Sequence, residues 1–217
     1  MQRPKRITLS PTALDANGIS TTQTPAAGGV QSLTMTGVLA TGGVATFATP
    51  QHVTISAAGV DTTRTFTVTG TDRWGAALTE TITGVNTATV AGLKNFATVT
   101  GITVDADTAS AITAGVDGTC ESAWHILSQY DAFNVALGVV VSSGAVLTYT
   151  VQHTFDDLQA AGFVQDGANT FNHDSLVANT ASNDGHYTNP PSATRMSITA
   201  HTSGTVIFNV ISGGGGI

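Results

Sequence analysis

The segment from Thr65 to Gly84 constrains the fold more than any other. It reads Thr-Phe-Thr-Val-Thr-Gly-Thr, a turn-rich Asp-Arg-Trp-Gly, and then Leu-Thr-Glu-Thr-Ile-Thr. Apolar and threonine positions alternate with a period of two, which puts Phe66 and Val68 on one face of a strand and hydroxyls on the other. Threonine is β-branched and stiff at χ1, so extended backbone suits it. Two such runs across a turn predict a β-hairpin.

The same alternation recurs along the chain. Strands are expected at about 32–39, 44–48, 52–56, 63–69, 78–83, 96–104 and 111–114, spaced by Gly and Asp punctuation. They resume at 133–141 and 147–155, where Tyr149, Val151 and His153 share one face and Thr148, Thr150, Gln152 and Thr154 the other. Residues 193–201 and 205–211 predict a closing hairpin about Ser203-Gly204. The bulky stretch 119–130, with Trp124, Ile126, Leu127 and Tyr130, reads as a short helical turn or an irregular crossover, and no regular helix is predicted. The fold class is therefore all-β, an antiparallel β-sandwich or jelly-roll-like architecture.

A length of 217 residues suits one large sandwich or two small β domains. A composition shift near Gly118 divides the chain into a first β-sandwich domain at 31–118 and a second β region at 119–217. Residues 1–30, broken by Pro11, Pro25, Gly28 and Gly29, read as an extended N-terminal arm. Residues 156–191 read as a long polar loop anchored by Phe163-Val164 and Leu176-Val177, and Gly213 to Gly216 as a flexible tail.

Only 10% of the residues are charged, against about 25% in typical soluble domains, while threonine supplies 38 and glycine 24. Hydroxyls and small apolar groups must cover such a surface. Scarcity of Lys and Glu is what buried interfaces prefer, so association into an oligomer or larger assembly is the favoured reading. The net charge of -7 and pI near 5.0 argue against a nucleic-acid partner, which requires clustered cations. Arg64, Arg73, Lys94 and Arg195 are dispersed, and only Arg3, Lys5 and Arg6 stand together. No apolar core follows them to make a secretory signal, and no uninterrupted apolar window of about 18 residues exists to span a membrane. A single cysteine, Cys120, precludes an internal disulfide, and a reducing cytoplasm is the expected folding environment.

Candidate chemistry is sparse. Asp105 and Asp107 offer oxygen ligands for a hard cation, but the bidentate Glu and loop spacing of a strong Ca2+ site are missing, and backbone capping is the favoured role. His173, Asp174, Asp184 and His186 gather imidazoles and carboxylates in the long loop, yet their spacing fits no tight zinc motif. A solvated or interface loop is favoured there, and His52, His125, His153 and His201 read as structural. Ser142-Ser143-Gly144 and Ser203-Gly204 are turns without a nucleophile elbow. Asp156 and Asp157 would point to opposite strand faces, unsuited to glycoside hydrolysis. Trp74 lies in a turn and Trp124 near the crossover; an exposed Trp could contact a sugar or protein, while a packing anchor is the favoured reading. No enzymatic activity, metal or cofactor is expected.

Several segments together resemble the structural proteins of tailed bacteriophages: Gln23 to Gly29, Thr65 to Asp72 with the Gly75 turn and Thr79-Glu80-Thr81, Phe96 to Ile102, Phe133 to Val139, Leu147 to Asp157, and Pro191 to Arg195 with the closing hairpin. The resemblance spans nearly the whole chain after residue 20. It implies a β protein without enzymatic activity that decorates or cements the capsid, often as a homotrimer. The implied partners are the major capsid protein and further copies of the chain, not nucleic acid or membrane, in a virion assembled in the host cytoplasm. A tail component (tube, adaptor or receptor-binding piece) is the alternative. A secreted carbohydrate-binding module or hydrolase would need a signal peptide and an aromatic platform, neither of which is evident. The expected partner contacts are Arg3, Lys5 and Arg6 on the arm and His173 and His186 in the long loop.

Overall fold

The computed structural model describes residues 4–127, 134–161 and 167–212. Strands dominate it, all paired antiparallel, and the alternation of small, β-branched and apolar residues is the reason. Two compact units result, one of residues 11–120 and one of residues 1–10 with 121–217.

In the unit of residues 11–120, one sheet has the order β2 (Asp15–Gln23), β11 (Ile112–Val116), β6 (Val53–Val60), β9 (Asn86–Ala91). The other runs β4 (Ala40–Thr41), β5 (Val44–Gln51), β10 (Phe96–Val104), β7 (Thr65–Thr71), β8 (Ala77–Thr83), and β3 (Gln31–Ser32) also pairs with β10. The expected hairpin is β7 and β8, with Phe66 opposite Ile82 and Val68 opposite Glu80. Its turn is held by the Asp72 carboxylate, which accepts the amides of Trp74 at 2.8 Å and Ala76 at 2.9 Å, while Gly75 takes φ +81°. Phe66 and Val68 are fully buried and join Ile19, Ile55, Phe96, Ile102 and Ile112 in one core between the sheets.

In the other unit, one sheet has the order β1 (Lys5–Leu9), β19 (Val206–Ser212), β14 (Val135–Val141), β17 (Asn183–Tyr187). The second runs β12 (Cys120–Glu121), β18 (Ala193–Ser203), β15 (Val146–Thr154), β16 (Phe171–Asn172), and β13 (His125–Ile126) also pairs with β18. Leu137, Phe208 and Val210 from the first sheet and Tyr149, Val151, Met196 and Ile198 from the second are buried.

Five expectations need correction. The strand expected at 32–39 shrinks to β3, and residues 33–39 lie outside any strand, with the Gly37 and Leu39 amides donating to the Ile19 and Gly18 carbonyls. Residues 1–30 are not an extended arm: Ile7 and Leu9 alternate with Arg6 and Thr8, and β1 closes the edge of β19, while β2 pairs with β11. The closing hairpin does not exist, because β18 pairs with β15 and β19 with β14, so the turn at Gly204 (φ +95°) carries the chain from one sheet to the other. The crossover at 119–130 contributes two short strands, β12 and β13, where its residues are described, and Tyr130 lies outside them. The long loop contains β16 and β17, and its 173–179 stretch exchanges backbone hydrogen bonds with β15: Val151 N to Leu176 O at 2.7 Å, and Tyr149 with Asn179 in both directions at 2.9 Å. It thereby covers a strand edge that would otherwise present unpaired amides. That cover also buries Thr150, whose hydroxyl accepts the Ala178 amide. Phe133, the Phe163-Val164 anchor and the tail at 213–216 lie outside the described residues.

Candidate functional site

The basic trio resolves into strand positions. Arg3 lies outside the described residues, whereas Lys5 and Arg6 occupy β1. Alternation on β1 sends Ile7 and Leu9 to the core side, so Arg6 and Thr8 project from the outer face. Lys5 acts electrostatically on His125, whose pKa is lowered first by burial and then by that ammonium.

His173 and His186 do come together, but in different roles. His173 is buried, and its Nε2 donates to the His186 carbonyl oxygen at 3.2 Å. His186 itself is exposed. Of the two histidines expected as partner contacts, His173 is thus buried in the single chain, packed edge-on against Tyr187 at 5.0 Å between ring centroids, and only His186 stands at the surface.

Around this pair lies a cavity of about 190 Å3, bordered by His153, Phe155, Asp174, Tyr187 and Asn189. His153 reaches it from the core face of β15 and Tyr187 from the facing β17, their rings 5.2 Å apart. Phe171 stacks on His153 at 5.9 Å and Phe155 meets it edge-on at 5.4 Å, while both phenylalanines remain about half exposed. An aromatic cluster thus exists that no local stretch of sequence displays. It needs the long loop to return Phe171 beside His153.

Burial sets the electrostatics here. It pushes the Tyr187 hydroxyl up to about 12, partly offset by the hydrogen bond with Thr194. His153 is held below the usual imidazole range by burial, then by the neighbouring His173, with Asp174 pulling the other way. The His153 Nδ1 is buried without a hydrogen-bond partner among the described residues. Ser175 brings a hydroxyl to 3.4 Å from the His173 Nδ1, beyond the roughly 2.6–3.2 Å of a working nucleophile and base, and that nitrogen already accepts the Ser175 amide. Among the described residues no three His, Cys, Asp or Glu side chains group in a way that could hold a metal ion.

The remaining carboxylates act as loop ties. Asp107 accepts the Gly28 amide at 2.7 Å and the Gln31 side-chain amide at 2.6 Å, a capping role. Asp156 accepts the Asn169 amide at 2.7 Å, the main cause of its lowered pKa. Asp184 and His186 lie on the outer face of β17. Trp124 lies under the Arg195 guanidinium, 4.5 Å from ring centroid to Cζ, as a packing anchor, whereas Trp74 is 65% exposed in its turn.

The chain matches no protein-family model, and no curated protein matches it at a significant level.

Proposed function

We propose that this protein is a non-enzymatic structural component of a tailed-phage virion, a decoration or cement protein that binds the major capsid protein and stabilises the head shell. The observation that carries the reading is its surface. Only 10% of the residues are charged, and the strand faces turned to solvent carry threonine hydroxyls, small side chains and exposed Val and Ile, a composition suited to burial against other protein. The buried polar groups fit the same reading, since Asp61 and Glu80 tie loops to the sheets and do not converge on a reacting atom. Host cytoplasm is the place of assembly and the virion the destination, without nucleic acid or membrane as partner.

The test is co-sedimentation of the purified protein with capsid shells that lack it, followed by heating of the loaded and bare shells. Saturable binding and a raised shell melting temperature are expected. Recovery with isolated tails and not with heads would overturn the decoration role in favour of a tail component, a reading that the half-exposed Phe155 and Phe171 beside the cavity favour as a receptor contact.

A further inference from the structure

We infer that the outer face of the sheet β1-β19-β14-β17 is a self-complementary surface that pairs two copies of this chain about a two-fold axis parallel to its strands. The register places Arg6 opposite Asn209, Asn209 opposite Gly138, and Gly138 opposite Asp184, one transverse row across all four strands. Burial alternates so that all four side-chain positions lie on the outward face, with a cation at one edge and an anion at the other. At roughly 4.8 Å per strand the two charges stand about 14 Å apart.

A two-fold axis along the strands, midway between β19 and β14, lays β1 of one copy over β17 of the other. Arg6 then meets the partner's Asp184 twice, once on each side of the axis. Stacked sheets lie about 10 Å apart, a gap that an extended arginine and an aspartate span together. The centre is complementary in shape as well: Asn209 projects where the partner presents Gly138, and a Cβ added at Gly138 would meet nothing within 4 Å. In the flanking rows Ile207 falls over the partner's Val140 and Ile211 over the partner's Ala136. Val140 and Ile211 are 49% and 45% exposed in the single chain. The other in-plane axis, across the strands, would stack Arg6 on Arg6 and Asp184 on Asp184, so charge selects the first.

The face covers only a few hundred Å2 per copy, below the roughly 800 Å2 of a standard interface, so pairing in dilute solution is weak and falls with salt. The inference takes self-association from the proposed function and sets the contact at two copies, where the resemblance implies three.

Sedimentation velocity over a wide concentration range, at low and high salt, tests it. A monomer–dimer equilibrium that weakens with salt is expected. Removing an exposed ion pair costs little, whereas like charges face to face are repulsive, so Arg6→Asp and Asp184→Arg should each weaken dimerisation at least about tenfold. The double variant Arg6→Asp/Asp184→Arg restores the pairs and should recover dimerisation to within about threefold of the original. Gly138→Lys fills the central hollow and should also abolish it, with unchanged circular dichroism showing that the sheet is intact. A monomer at every concentration, a stable trimer insensitive to these changes, or a double variant no better than the singles overturns the inference. So does loss of capsid-shell binding in Arg6→Asp with unchanged sedimentation, which would give the face to the coat protein. Failure of the pairing leaves the shell-binding test of the proposed function standing.

Discussion

The two units are both threonine-rich antiparallel sandwiches, yet they finish their cores with different chemistry. In residues 11–120 the buried carboxylates are satisfied by amides and hydroxyls: Asp61, 1% exposed, accepts the Ala109 amide at 2.7 Å and the Ser110 hydroxyl, and Glu80 accepts the Leu93 amide at 2.6 Å, while the buried imidazole of His52 meets the Thr119 hydroxyl at 2.8 Å. Hydroxyls pair across strands, as at Ser56 with Thr89 and Thr71 with Thr98, each 2.7 Å apart. In the other unit the core ends in imidazoles and rings, with His153 and His173 packed among Phe155, Phe171 and Tyr187. A carboxylate tied to amides holds a loop; burial among rings holds His153 below the usual imidazole range. The contrast teaches that one sandwich ties its loops with buried carboxylates, whereas the other sets an imidazole of lowered pKa inside an aromatic cluster.

The largest effects should be alike in the two units, and a difference there would break the comparison at its base. Phe66→Ala and Phe208→Ala each empty a fully buried site and should cost about 3–5 kcal/mol, read by denaturant unfolding together with strand-resolved hydrogen exchange. Next comes the loop tie. Asp61→Ala leaves the Ala109 amide and the Ser110 hydroxyl without their acceptor and should cost about 2 kcal/mol, seen first as lost exchange protection at Ala109.

The third prediction sharpens the contrast. His153 and His125 have pKa values lowered in the fold, so below the unfolded value of 6.5 the unfolded chain takes up protons more readily than the native one. Their contribution is fully present above pH 6.5 and is lost as the pH falls toward their folded values. Exchange protection in β15 should therefore decline between pH 7 and 5, and His153→Phe should remove most of that slope; an equal decline in β7 would sink the assignment. The smallest effect belongs to the hydroxyl ladders. Thr71→Val keeps the β-branched shape and should shift stability by no more than about 0.5 kcal/mol, measured as the denaturant midpoint.

The legibility of the molecule follows the range of its contacts. The β7–β8 hairpin could be read because its register, its turn and its apolar face all lie within one stretch, and Asp72 and Gly75 act on immediate neighbours. β1 and β2 could not, because Pro11, Pro25 and the glycines dominate the local signal while the pairing partners, β19 and β11, lie far along the chain. The closing turn misled for the same reason. Ser203-Gly204 suits a hairpin locally, and only the neighbours of β18 and β19 show that those strands belong to different sheets.

The candidate site divides in the same way. His173 and His186 stood out as a histidine and carboxylate cluster near in sequence, but burial of the first and exposure of the second depend on how β17 lies against the loop. His153, Phe155 and Phe171 carried no shared signal at all, since a strand end and a strand of two residues meet only after the loop folds back. Sequence alone determined that this chain is all-β, poor in charge and without a disulfide, because alternation and composition are properties of the residues themselves. The tertiary structure alone decided which faces meet, which imidazoles lose water, and that Arg6 and Asp184 share one row of an exposed sheet, because those follow from pairing between strands far apart in the chain, from Gly138 with Asp184 to Arg6 with Asn209.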